Sequence, residues 1–488
     1  MDSIAKTVQG EVRGTLTDGI ASFKGIPYAA PPFGPNRFRA PARPAAWDGI
    51  RDATAFGPTA PHGPYSAPLN ALVPEPIIAG DDCLNLNVWS PDVGAASLPV
   101  MVWIHGGSFL NGSGAVPTYD GHNFARDGVV CVTINYRLGA DGFLVLDGVP
   151  ANRGLLDQVA ALEWVQENIS AFGGDPRNVA VFGESAGAIG VTALLSMPRA
   201  AGLFRRAVAQ SGGGHHALAP ETAHRVMNEL ARQFGVPPTR AAIASIPVGL
   251  LVDAQQQLAL EIAADPDQTG WDEIALDQMA FKPVVDGTVL PQRPIDAIVA
   301  GAGSDVDLLV GTTHDEFGLF LVPDGLLDFV DENVLGASAG SVGLDDSGVT
   351  AYRGDARSPG GTMSAIMTDY HFRIPAIRLA EGHGGRSHLY EFAWRSPLFE
   401  GRLGACHALE LPFVFDTLEV DDVGALYAGA PQSVATVMHK AWVDFATSGD
   451  PGWPAYDATT RATMTFDLDS RVVNDPRPKQ RALWDGIR

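Results

Sequence analysis

The alternation of short, unbroken apolar runs with helix-periodic segments constrains this chain most. Residues 100–104 (Val-Met-Val-Trp-Ile) are wholly apolar and end in glycines, and residues 129–136 form a second run rich in β-branched side chains. Residues 178–182, 307–310 and 388–394 read as further strands. Val159, Leu162, Val165 and Ile169 recur at helical spacing within 157–171, and 186–197 reads as a helix that stops before Pro198. A strand apolar at every position is buried on both faces. Such strands alternating with helices predict an α/β protein with a central, mostly parallel sheet flanked by helices. Ligands on such a sheet bind beyond the carboxyl ends of its strands. Two other segments, helix-rich 217–283 and an irregular stretch 322–373 rich in Gly, Ser and Asp, are expected as insertions that either roof a site or pack peripherally.

Composition narrows the function classes. Hydrophobic residues are 46 % and charged residues 18 %, the balance of a globular chain with a large core. A net charge of −23 repels phosphate backbones and anionic lipid, which argues against nucleic-acid and membrane partners. The three cysteines, Cys83, Cys131 and Cys406, cannot all pair and form no C-x-x-C, so neither a disulfide framework nor a structural zinc site is expected. Cys131 lies in an apolar run and reads as a buried thiol. The first residues show no apolar signal core behind a basic start, and no stretch is long and apolar enough to span a bilayer. The expectation is a soluble protein kept in the reducing cytoplasm.

Gly183-Glu184-Ser185-Ala186-Gly187 fits G-x-S-x-G. A serine on a sharp strand-to-helix turn exposes its hydroxyl, and the flanking glycines remove side chains that would collide there. The pattern alone is weak, because Gly336-Ala337-Ser338-Ala339-Gly340 matches it too. Ser185 follows a strand-like run and precedes a helix-like one. Ser338 follows a polar stretch with no strand and reads as a flexible loop residue. Ser185 is therefore the candidate nucleophile, and the N–H of Ala186, at the start of the following helix, would face the oxyanion formed by its attack.

His105-Gly106-Gly107-Ser108 follows the strand 100–104. Without a following Gly-Lys-Ser/Thr it is not a phosphate loop; beside Ser185 it reads as an oxyanion loop. In the order Ser, acid, His, the acid should follow a later strand, and either Asp315 or Glu316 fits after 307–310. Of the histidines downstream, His388 begins a strand, His439 lies in a helical run, His371 adjoins one and His383 sits in a Gly-rich turn. His407, after the last clear strand, is left as the favoured base.

These residues resemble the type-B carboxylesterases, the family of bacterial p-nitrobenzyl-type esterases and cholinesterases. The likeness runs from about Gly10 to Trp484. It is carried by Phe23-Lys24-Gly25-Ile26-Pro27-Tyr28-Ala29, Asp82-Cys83-Leu84-Asn85-Leu86-Asn87-Val88, His105-Gly106-Gly107, Asn135-Tyr136-Arg137-Leu138-Gly139, the Ser185 motif, 311–316 and 407–415. The resemblance implies an α/β-hydrolase fold over 1–488, with helical insertions above the site. It implies a catalytic set of Ser185, Glu316 and His407. Oxyanion donors fall on Gly107, Ser108 and Ala186, and a supporting serine on Ser211. Ser108 stands where the family often has Gly or Ala, and Phe317 where a glycine usually follows the acid. Cys83 matches one partner of a disulfide in secreted relatives, with no cysteine shortly downstream. No tryptophan in 61–80 matches the choline-binding one, so cholinesterase activity is not expected.

The implied activity is hydrolysis of small carboxylic esters through an acyl-enzyme, without cofactor or metal. Activity should fall on the acid side near the ordinary histidine value of about 6.5. Aryl carbamates or anilides are the alternative substrates for the same triad. A catalytically silent binding homologue is the reading from another class, and the presence of all three triad residues weighs against it.

Overall fold

The computed structural model describes residues 2–95, 97–264, 271–354 and 358–488. Among them, thirteen strands form one mixed sheet. They are β1 (Asp2–Lys6), β2 (Glu11–Thr17), β3 (Ile20–Pro27), β4 (Ile50–Asp52), β5 (Asn85–Ser90), β6 (Leu98–Ile104), β7 (Val130–Ile134), β8 (Gly174–Glu184), β9 (Arg206–Gln210), β10 (Asp307–Thr313), β11 (Ser387–Phe392), β12 (Ala462–Phe466) and β13 (Arg471–Asn474). Their order is β1-β2-β3-β5-β7-β6-β8-β9-β10-β11-β12-β13, with β4 on β2. From β7 to β12 every neighbouring pair is parallel. The antiparallel pairs lie at the two wings.

The apolar runs that predicted this sheet are its centre, and their alternation shows why they must be apolar throughout. Val100, Val102 and Ile104 of β6 enter one core, while Met101 and Trp103 enter the other. In β7, Val130, Val132 and Ile134 face the first core and Cys131 the second. Each strand is thus buried on both faces. All three cysteines are free and buried. The helices Arg153–Asn168 and Ala186–Ser196 lie where the sequence predicts them. No helix of the described residues is long and apolar enough to cross a membrane.

Three expectations are corrected. The stretch 322–373 is helical rather than irregular, with helices Glu332–Ser341, Asp346–Arg353 and Pro359–Thr368 and a π-helical turn Asp369–Arg373. The Asp and Ser residues that read as loop formers are N-caps. Asp331 accepts from Val334 N at 2.9 Å, Asp345 from Gly348 N at 3.0 Å and Ser358 from Gly361 N at 3.2 Å. Ser338 accordingly sits inside a helix, not in a flexible loop. Finally, β12 and β13 follow His407, so the strand before it is not the last. β12 is five residues with two threonines, too short and too polar to stand out. Residues 217–283 are helical as predicted, with helices Pro220–Gln233, Arg240–Ala244, Val248–Ala264 and Asp272–Ala275. Residues 265–270 and 355–357 of the two segments lie outside the described residues.

The two G-x-S-x-G matches part company in space. A Cβ on Gly187 would stand 2.0 Å from the Ile104 carbonyl oxygen, and one on Gly183 would stand 2.6 Å from the Gly187 carbonyl carbon. A Cβ on Gly336 or Gly340 would meet nothing within 4 Å. Only the first pair of glycines is required by packing. Gly187→Ala is therefore expected to lower stability by about 2 kcal/mol or more, seen as earlier thermal unfolding. Gly336→Ala, on an open helix face, should raise stability by up to about 1 kcal/mol. Equal melting of the two variants would contradict this account.

Candidate active site

The site is built where β6 and β8, adjacent and parallel, both end. Ser185 leaves β8 with φ +56° and ψ −122° and opens the helix Ala186–Ser196. That left-handed conformation is costly for a residue with a Cβ. It is held by Ser185 N donating to Gln210 O at 2.9 Å and Ile189 N donating to Ser185 O at 3.0 Å. Ser185 lines a cavity of about 120 Å³ together with Gly107, Ser108 and His407.

The turn after β6 is also left-handed, at Gly107 (φ +104°), Ser108 (+54°) and Phe109 (+59°). Its Gly106 packs on the elbow, since a Cβ there would lie 3.1 Å from Ser185 Cβ. Among the described residues, the N–H groups of Gly107 and Ser108 find no acceptor. Ala186 N–H is at the first helical position, where no intrahelical acceptor exists. Free donors in the wall of a cavity beside a serine suit a developing oxyanion.

His407 is brought in from the loop after β11, and of the neighbouring carboxylates Asp315 and Glu316 it meets Glu316. His407 Nδ1 lies 2.6 Å from Glu316 Oε2, and Glu316 is fully buried. Glu316 Oε1 accepts from Thr313 N at 2.8 Å, and His407 N donates to Glu316 O at 3.2 Å. Asp315 turns elsewhere, accepting from Arg395 Nη1 at 2.6 Å and Ala405 N at 3.0 Å. The other downstream histidines do not reach the cavity. His388 lies in β11, His439 faces Val414 O and Asp127, His371 is in the π-helical turn and His383 bonds Gly303 O and Ser387. Ser211 is buried next to the elbow with φ +52°, and its Oγ has no partner among the described residues.

Sequence reasoning missed the carboxyl groups around the imidazole. His407 Nε2 lies 3.1 Å from Oε1 of Glu184, the residue just before Ser185. Ser185 Oγ makes no hydrogen bond among the described residues. Glu410 is also fully buried and accepts from Gln210 Nε2 at 3.2 Å, with Gln210 Oε1 in turn accepting from Trp442 Nε1 at 3.0 Å. Both glutamates lie inside motifs already singled out, Glu184 as an unspecified position and Glu410 three residues after His407. Only their burial marks them.

Their electrostatics are linked. Burial pulls the His407 imidazole toward its neutral form, but Glu184, Glu316 and Glu410 outweigh it and raise its pKa to about 9. Burial, with repulsion from Glu410 and Glu316, raises Glu184 to about 8 against the pull of His407. Burial and then Glu316 raise Glu410 to about 7. The surrounding carboxyl groups thus favour the protonated ring and push His407 above the ordinary histidine value.

The cavity walls are largely aromatic and aliphatic, with Tyr65, Leu69, Val73, Phe320 and Tyr427 among them, and the segment 65–75 also contributes Pro74 and Glu75. None of the lining residues comes from 217–283. From 322–373, Phe372 packs on the His407 ring at 4.9 Å between centroids. The short Nδ1–Oε2 contact should give a strongly deshielded, exchange-protected imidazole proton in one-dimensional NMR. That proton should vanish in Glu316→Ala; its survival there would assign it elsewhere.

The chain is similar to known carboxylesterases over nearly its whole length. The profile of the carboxylesterase family matches residues 1–484. The para-nitrobenzyl esterase of Bacillus subtilis (strain 168) is 38 % identical, covering 98 % of this chain and 97 % of that one. The phenmedipham hydrolase of Pseudarthrobacter oxydans is 36 % identical, covering 97 % of each. Among solved structures, the Geobacillus stearothermophilus carboxylesterase at pH 6.2 superposes with a TM-score of 0.86 at 39 % identity, covering 99 % of both chains. With its full-length match in sequence and fold, the chain belongs to the carboxylesterase family, as a type-B carboxylic ester hydrolase with an α/β-hydrolase fold.

Proposed function

We propose that Ser185 is the nucleophile of this esterase, His407 its general base and acid, and Glu316 the group that orients the imidazole. The observation that carries the reading is the 2.6 Å contact between Glu316 Oε2 and His407 Nδ1 on a histidine that shares a cavity with Ser185. With Nδ1–H held by the carboxylate, Nε2 is left to take a proton. Ser185 Oγ attacks the ester carbonyl carbon as its proton passes to Nε2. The N–H groups of Gly107, Ser108 and Ala186 bind the tetrahedral oxyanion. Collapse breaks the bond to the alcohol oxygen, which leaves with the proton from Nε2. Water then attacks the acyl-enzyme and gives one proton back to Nε2. The acid departs and Ser185 recovers its hydrogen. Ser211, buried beside the elbow, supports the turn.

The substrates are small esters with apolar or aromatic groups, in keeping with the walls of the cavity. Aryl carbamates are a second substrate class, favoured by the likeness to a phenmedipham hydrolase. A cytoplasmic location suits the three free, buried thiols.

Ser185→Ala should abolish release of p-nitrophenol from p-nitrophenyl butyrate, while the parent turns it over. Retained activity in the variant would move the chemistry to another group. The acid limb of kcat/KM should lie above pH 6.5, because a histidine held at higher pKa stays protonated, and inactive as a base, to higher pH. Glu184→Gln removes a charge that favours the protonated ring. Its acid limb should move down by about one pH unit; an unmoved limb would detach Glu184 from the titration.

A further inference from the structure

The turn that carries two of the proposed oxyanion donors holds two successive non-glycine residues, Ser108 and Phe109, in the left-handed region. The left-handed region strains a residue that carries a Cβ, so the turn keeps this shape only if its surroundings hold it. Part of the restraint is local. Leu110 N and Asn111 N both donate to Gly107 O at 2.9 Å, and Gly139 N donates to Phe109 O at 2.7 Å.

The rest comes from a segment far away in the sequence. Glu75, in the 65–75 wall of the cavity, has a side chain only 7 % exposed. Its Oε1 accepts from Asn111 Nδ2 at 2.7 Å and from Gly112 N at 3.4 Å. Its Oε2 accepts from Tyr65 N at 2.7 Å. Asn111 Nδ2 also donates to Gly63 O at 2.7 Å, and His62 Nε2 stands 3.4 Å from Glu75 Oε1. One carboxylate thus joins the base of the turn to the wall. The Tyr65 hydroxyl lies 3.1 Å from where a Gly107 Cβ would be, so the same wall leans on the turn itself.

We propose that Glu75 is a positioning residue for ester hydrolysis: by clasping Asn111 and the backbone of Tyr65 it holds the turn 107–112, left-handed at Gly107, Ser108 and Phe109, in the shape that aims the Gly107 and Ser108 N–H groups at the oxyanion. The proposal rests on the oxyanion role assigned to those donors above. Glu75 does not touch the reacting atoms. Its effect falls on the transition state because the donors it aligns are engaged fully only there. It also ties the cavity wall, which a substrate contacts, to the turn that stabilises charge.

The test is steady-state hydrolysis of p-nitrophenyl butyrate by the parent, Glu75→Ala, Glu75→Gln, Asn111→Ala and the Glu75→Ala/Asn111→Ala double variant. Active sites are titrated, melting temperatures measured, and inhibition by an alkyl trifluoromethyl ketone, whose serine adduct bears an oxyanion, is followed alongside. Glu75→Ala should lose roughly ten- to a hundred-fold in kcat, with KM changed little and ketone affinity reduced in the same proportion. Glu75→Gln, which keeps one acceptor oxygen, should recover part of that loss. The double variant should lose much less than the product of the two single losses. Parent-like kcat per titrated site, with only a lower melting temperature, would overturn the proposal, as would a rise in KM alone. Activity surviving in Ser185→Ala would instead overturn the nucleophile reading beneath it.

Discussion

The site depends on the close approach of two sharp turns at the carboxyl ends of adjacent parallel strands. β6 and β8 pair through to Ile104 and Gly183, so both chains must leave the sheet at the same level. One turns into the left-handed loop that begins at Gly107 and the other into the sharp turn at Ser185. The Ile104 carbonyl oxygen would lie 2.0 Å from a Cβ at Gly187, which leaves no room for any side chain there. Serine, glycines and free N–H groups are gathered by this one constraint. Backbone strain is its cost, present on both sides at Ser108, Phe109 and Ser185.

The strain is held by residues whose role is purely supportive. Tyr136 donates its hydroxyl to His105 O at 2.8 Å and stacks on the His105 ring at 4.5 Å. Arg137 forms a buried bidentate pair with Asp157. Asn87 and Asn135 bridge the loop after the turn, to Gly114 O and from Gly114 N respectively. These belong to the segments by which the chain resembles its family, so much of that likeness is a scaffold for one loop. Burying Tyr136, Arg137, Asn87 and Asn135 is tolerable because each of these side chains finds a partner.

Around His407 the same economy works through charge. Three buried carboxyl groups surround one imidazole, and burial disfavours ionising all of them together. Only Glu316 is locked by a short contact and a backbone N–H. Burial raises Glu184 and Glu410 toward neutral pH, and of these two Glu184 meets the ring, at 3.1 Å from Nε2. The motif showed where a serine must stand, but not that its neighbour Glu184 would meet the base. That contact joins residues more than two hundred positions apart and follows from the sheet order.

Patterns that depend on local spacing were legible in the chain alone. The apolar runs of β6 and β7 had to be buried on both faces, because no charged residue interrupts them and the one polar residue, Thr133 of β7, is itself buried. Ser185 could be told from Ser338 because a strand precedes only the former. Composition misled at 322–373, where caps at Asp331, Asp345 and Ser358 and burial on neighbours make helices from a stretch rich in Gly, Ser and Asp. Spacing left Asp315 and Glu316 both open and the family resemblance pointed to Glu316, which faces His407; tertiary structure alone decided that residues of 65–75 line the cavity and that Glu75 reaches Asn111. Such choices turn on the direction of a side chain and the meeting of distant loops. Neither is encoded in the spacing of residues along a strand or helix.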